Sequence, residues 1–319
     1  MKHQMNKGSL TTQLAALAVM FYGAAHAASG YWNGTESVFW TNTANWSAAY
    51  PSGGDTASFT NAGNGQTIID LTGLSSIKSI AFDTSAVASY TIGSGGANAQ
   101  TLATAGDGQI SLSATAAADQ SFAAALQLPG NYTFANDNAA RTLTLNNVTG
   151  TTVDKSLTLN GTGAISILGN LSRGGNALNV YLNGTGAFTL SGANNQLSSL
   201  SLNGVNAVIN LPEGSLTTFN SGGGVNLYAG QNSVINGPGA IVLSTGGGEN
   251  YSDNSVANGK TLTINAKLTG TTGFEYWSGN AYGTVVLAGQ NDFSEHVVMN
   301  AAGTISVTNI GNQVTASNL

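Results

Sequence analysis

Asn160-Gly-Thr-Gly-Ala164 recurs 23 residues later as Asn183-Gly-Thr-Gly-Ala187, and again as Asn236-Gly-Pro-Gly-Ala240. A looser version, Asn203-Gly-Val-Asn-Ala207, falls 20 residues after the second copy. The likeness extends beyond the motif: "SLTLNGTGAISILGN" (156–170) aligns with "NVYLNGTGAFTLSGA" (179–193). "TLTLN" (142–146) and "TLTIN" (261–265) repeat the leading strand. Self-similarity at about 20 to 25 residues signals a solenoid, in which each repeat is one coil that buries its apolar face against its neighbours.

The local period sets the type of coil. Leu157 and Leu159 flank Thr158, Ile165 and Ile167 flank Ser166, and Phe188 and Leu190 flank Thr189. Period 2 marks strands with one buried face. The NGxG segments between them predict positive-φ corners. Strands alternating with sharp corners, without a 3.6-residue period, predict an all-β right-handed parallel β-helix. An antiparallel sandwich or barrel uses the same strand and turn signals, but it does not explain a repeat that includes both.

The two ends differ from the repeats. Lys2 and Lys7, the apolar run Leu14–Tyr22 and the small-x-small site Ala25-His26-Ala27 predict a signal peptide over residues 1–27. The apolar run is shorter than the ~20 residues of a membrane span, and no later segment could span a bilayer as a helix. Residues 28–60 hold three of the four tryptophans, Trp32, Trp40 and Trp46, and predict an aromatic-rich N-terminal cap over an open solenoid core. Sugar stacking is the alternative use of those rings. Residues 61–319 form the repeat domain, clearest over 140–319. The chain stops at "NQVTASNL" (312–319) without a second cap or amphipathic barrel strands.

Composition then narrows the functions. Charged residues are 7% of the chain, and losing Lys2 and Lys7 takes its net charge from −6 to −8. That balance argues against nucleic acid, which requires a basic stripe, and against docking to anionic lipid. There are no cysteines, so an exported chain must draw its stability from an extended core.

Catalytic chemistry finds little support. Acid/base work on glycosidic bonds needs close carboxylates. The acids are thinly spread, and no Asp-x-Asp or Glu-x-Asp pair puts two on one strand face. His296 has Asp292 and Glu295 beside it in sequence, but one histidine makes neither a triad nor a metal site. "GGGENYSDN" (246–254) offers Glu249 and Asp253 in a Gly-rich turn, without the repeated G-G-x-G-x-D of calcium-binding solenoids. No catalytic residue, metal or cofactor is therefore expected. "GFEYWSGNAYG" (273–283) gathers Tyr276, Trp277 and Tyr282 beside Glu275; these are the candidates for stacking on a glycan, with packing over the coil as the plainer use.

The stretch "GTVVLAGQNDFSEHVVMNAAGTISV" (283–307) resembles the autotransporter-associated β-strand repeat of bacterial surface proteins. Gly283, Val285 and Leu287 match its first strand, Gly289 and Asn291 its turn, and Phe293 its aromatic position. Val297 and Val298 fall in the second strand, and Gly303-Thr-Ile-Ser-Val307 matches the last. A partial copy lies at 186–204, where Leu190-Ser-Gly-Ala-Asn194 matches the turn. The resemblance implies an exported β-helical passenger displayed on the surface or outer membrane of a Gram-negative-type bacterium. Such a chain is a structural scaffold or adhesin, meeting glycans or other surface proteins, and is not an enzyme. Full-length members end in a C-terminal translocator barrel that this sequence does not present, so a fragment of a larger autotransporter is one alternative. A carbohydrate-active β-helix lyase or hydrolase is the other.

Overall fold

The computed structural model describes residues 30–151, 153–219, 226–244, 251–277, 282–300 and 302–308, without the side chains of residues 251–253 and 277. The expected signal peptide (1–27) and the final "NQVTASNL" (312–319) lie outside the described residues. The chain is nearly all β, a parallel β-solenoid of about 11 turns with almost no helix. Among the described residues, parallel sheets of 12 and 11 strands run along it, and a third of 8 strands spans residues 101–270.

One coil shows the plan. Tyr132–Asn136 lies in the first sheet, Thr142–Leu145 in the second and Val148–Gly150 in the third. Lys155–Gly161, Ala164–Ile167 and Leu171–Ser172 form the next coil, each pairing in parallel with its counterpart. The antiparallel sandwich or barrel does not survive these pairings; Trp32↔Trp46 is an isolated antiparallel bridge.

Period-2 alternation produces the core. Ile110, Phe134, Leu159, Leu182 and Leu202 pair in succession down the first sheet, all buried. Phe122, Leu145, Ile167 and Leu190 do the same in the second. Each such side chain stabilises the fold by about 1.5–3 kcal/mol through the apolar surface it removes from water. The outward residues between them are mostly Thr, Ser and Asn, which is how the chain stays polar with few charges.

At the N-terminal end, Trp32, Trp40 and Trp46 lie inside the core and not on its surface. Their indole N–H groups donate to the carbonyls of Gln66, Pro51 and Trp40, at 3.1, 2.8 and 2.6 Å. Trp46 meets Phe59 edge-on at 5.8 Å, and Phe59 stacks on Phe82 at 5.1 Å. These buried indoles leave no ring face for a sugar.

The corners correct two expectations. Of Gly161, Gly163, Gly184, Gly186 and Gly204, Gly161 alone has positive φ (96°). What the others require is space. A Cβ on Gly184 would strike the Gly161 carbonyl, one on Gly204 the Gly184 carbonyl, and one on Gly186 the Gly163 carbonyl. The corner glycines stack main chain on main chain, and the backbone ladder continues through them: the Thr185 N–H donates to the Gly161 carbonyl at 2.9 Å.

The third motif copy serves a different corner. Asn160 and Asn183 close strands of the first sheet, whereas Asn236 ends Ser233–Asn236 in the second. There it accepts from Asn265 and donates to Asn210, both at 3.1 Å, as the middle rung of an amide ladder. Likewise Thr142–Leu145 and Thr261–Ile264 belong to the second sheet, although their sequences match a first-sheet strand. Both sheets demand the same inward alternation, so the sequence alone does not say to which a strand belongs.

Candidate functional site

The stretch around His296 resolves into structural parts. Thr284–Leu287 is a second-sheet strand, Val297–Asn300 a first-sheet strand of the following coil, and Thr304–Val307 returns to the second sheet. Val285 and Leu287 are buried, while Val297 and Ile305 pack against the core half-buried. His296 is exposed just before its strand, and its carbonyl accepts the Phe274 N–H at 3.0 Å. Asp292 forms an ion pair with Lys267 at 2.6 Å across one coil. Partial burial pushes the Asp292 carboxyl up, but hydrogen bonds from Lys267 and Thr269 and the lysine charge outweigh it and hold the carboxyl below its usual range. Among the described residues no three of His, Asp, Glu or Cys gather as metal ligands.

The aromatic stretch divides by strand alternation. Gly273–Trp277 belongs to the first sheet, so neighbouring side chains point opposite ways. Tyr276 is 0% exposed; its hydroxyl donates to the Gly283 carbonyl at 3.0 Å, and burial pushes its pKa up. A ring enclosed in this way cannot stack on a glycan, which removes Tyr276 from the expected set. Glu275 is half-buried on the outer face and accepts from Asn300 at 3.3 Å. Tyr282 is 52% exposed. The side chain of Trp277 lies outside the described ones, as do residues 246–250 of the candidate calcium turn and the side chain of Asp253, whose backbone belongs to the first-sheet strand Tyr251–Val256 and not to a turn.

Elsewhere the carboxylates hold corners together. Asp70 accepts the Thr72 N–H and the Gln100 amide, both at 2.7 Å. Asp119 accepts the Thr142 N–H at 2.9 Å, and Asp154 the Ala177 N–H at 2.8 Å, each one coil on. Asp55 closes its own turn through the Ser52 N–H at 3.1 Å. Each of these carboxylates braces its own turn or ties one coil to the next.

An open pocket of about 260 Å³ lies on the outer face of the first sheet, lined by Asp107, Gly108, Asn131, Tyr132, Thr133 and Thr158. Asn131 braces it: its carbonyl accepts the Asp107 N–H at 2.8 Å and its side chain accepts the Ser156 N–H at 2.9 Å. Tyr132 turns inward, its hydroxyl donating to the Lys78 carbonyl at 2.8 Å, and burial raises its pKa. No sequence signal points here, because the walls come from successive coils.

No protein-family model matches the chain, and no curated protein or solved structure is similar enough to be matched to it.

Proposed function

We propose that the chain is an exported, surface-displayed β-solenoid of the autotransporter-passenger kind, acting as a scaffold or adhesin without catalysis. The observation that supports this most is the use of its polar groups. Asp55, Asp70, Asp119 and Asp154 each accept a backbone N–H at a turn or corner, and the corner asparagines bond to one another between coils. A chain built this way presents long, repetitive, nearly uncharged faces. Such faces suit many weak contacts spread along a surface better than a single reaction centre.

Expression of the full chain in a Gram-negative host tests the reading. Protease added to intact cells should remove the protein while sparing a cytoplasmic marker, and cells displaying it should attach to glycan-coated or cell-coated surfaces more than controls. Retention inside the cell would overturn display. Release of new reducing ends or unsaturated products from a polysaccharide panel would overturn the non-catalytic part and favour the lyase or hydrolase alternative.

A further inference from the structure

We propose that the outer face of the first sheet is a binding track for an extended, uncharged, β-1,4-linked polysaccharide. The assignment rests on the surface-display reading, since such chains are met outside the cell.

Strand register carries the argument. Thr133 pairs with Thr158, Thr158 with Tyr181, Tyr181 with Ser201, Ser201 with Tyr228 and Tyr228 with Ser255. These residues form one row across the solenoid. Tyr181 and Tyr228 both point outward, between buried Val180 and Leu182 and between buried Leu227 and Ala229. Tyr228 is 36% exposed and Tyr181 half-buried. Two phenol rings therefore stand two rungs apart with a serine between them. Two rungs advance about 9.6 Å, which matches the disaccharide repeat of an extended β-1,4-linked chain. In such a ribbon successive sugars are flipped, so every second ring offers the same face. An α-linked chain coils away from that line.

The surroundings fit the same ligand. The row runs straight into the open pocket, whose lining includes Thr133 and Thr158. On one flank, Ser199 Oγ donates to Asn179 Oδ1 at 2.7 Å. On the other, Asn203 Nδ2 donates to Asn183 Oδ1 at 3.0 Å. Amides and hydroxyls fixed beside aromatic rings suit sugars, whose faces are apolar and whose edges are hydroxylated. From Thr133 to Tyr228, neither this row nor the outward rows flanking it contain a charged residue, and Asp107 stands only at the pocket end. An acidic polysaccharide would meet no cation on this track and a negatively charged protein around it.

The test is calorimetric titration of the full chain with cellohexaose and chitohexaose, compared with maltohexaose and polygalacturonate. At least one β-linked hexaose should bind about tenfold tighter than maltohexaose, and Tyr181→Ala and Tyr228→Ala should each weaken it by about tenfold, the loss of one stacking platform. Phe39→Ala, an exposed ring off the row, should change nothing. Circular dichroism checks that each variant folds. Ser201→Arg fills the gap between the platforms while keeping both rings, and should also block binding. The track is overturned if the parent chain binds neither β-linked hexaose, if folded tyrosine variants bind like the parent, or if Tyr282→Ala, at the other glycan candidate, abolishes binding. A parent chain that binds neither β-linked hexaose but keeps surface exposure and attachment would overturn the track alone. Lost surface exposure would overturn the display reading, whatever the titrations give.

Discussion

Asn195 accepts the backbone N–H of Leu171, one coil earlier, through its side-chain oxygen at 3.0 Å, while its own amide donates to the Gly192 carbonyl at 2.9 Å. Asn291 repeats the first bond with Leu268 at 2.9 Å. Both asparagines are buried, so each supplies in the interior what water would supply at a surface turn.

That relationship predicts an asymmetry between two adjacent residues. Asn195→Ala strands a buried N–H and should cost about 1–3 kcal/mol. Asn194→Ala should cost a few tenths at most, because its side chain is exposed. Urea unfolding of the two variants distinguishes them. Equal losses would mean that the buried bond contributes nothing particular.

Gly184 and Gly54 provide a second contrast. A Cβ on Gly184 would meet the Gly161 main chain, whereas one on Gly54 meets nothing within 4 Å. Gly184→Ala must push two coils apart or twist the corner and should cost about 1–3 kcal/mol. Gly54→Ala, which needs no positive φ, should be neutral to slightly stabilising, since it restricts only the unfolded chain. Thermal midpoints report both, and a neutral Gly184→Ala would mean that the close stacking is dispensable.

Much of this architecture could be read in the chain, and the failures share one cause. Leu157, Leu159, Ile165, Ile167, Phe188 and Leu190 are all buried, as alternation requires, because a strand's facing is a local property. Matching the turn at 190–194 to that at 287–291 equates Asn194 with Asn291, yet the buried equivalent is Asn195, followed by Leu197 where the other coil has Phe293. One inserted residue moved the register. The tyrosine row was invisible for the same reason: Tyr181 reaches Ser201 after 20 residues, but Ser201 reaches Tyr228 only after 27. Neighbours across coils depend on every loop length between them. Tyr276 stood among the glycan candidates because nothing local shows that Gly273–Trp277 is a first-sheet strand whose inward face takes the ring.

Asp70 makes stability depend on pH. The Thr72 hydrogen bonds lower its pKa first, burial opposes them, and Gln100 lowers it further, leaving it below the ordinary value of 3.8. The unfolded chain then binds the proton more tightly. The contribution is complete above pH 3.8 and is lost as pH falls through the lower, folded value. Asp70→Asn should remove part of the acid slope and cost about 1 kcal/mol at pH 7, a modest figure because the carboxylate is partly solvated. Denaturant midpoints between pH 2 and pH 7 check it, and an unchanged acid slope would refute it.

Lys155 contributes a penalty where Asp70 contributes stability, although the pH dependence has the same sign. It is 2% exposed at the start of an inward-facing strand, its stem fills the space that Gly150 leaves without a Cβ, and its ammonium has no hydrogen-bond partner among the described residues. Burial pushes its pKa down, against the pull of the Asp154 charge. Here too the unfolded state holds the proton more tightly, so the penalty is full at neutral pH. It is relieved as pH rises through the depressed value, and it disappears above the ordinary 10.5. Stability should therefore climb between neutral pH and that limit, before other groups titrate. Lys155→Met keeps the stem and removes the charge; it should stabilise the chain by on the order of 1 kcal/mol at pH 7 and abolish the climb. If Lys155→Met instead destabilises at pH 7, the ammonium is held by a favourable contact and the burial penalty is not the governing effect.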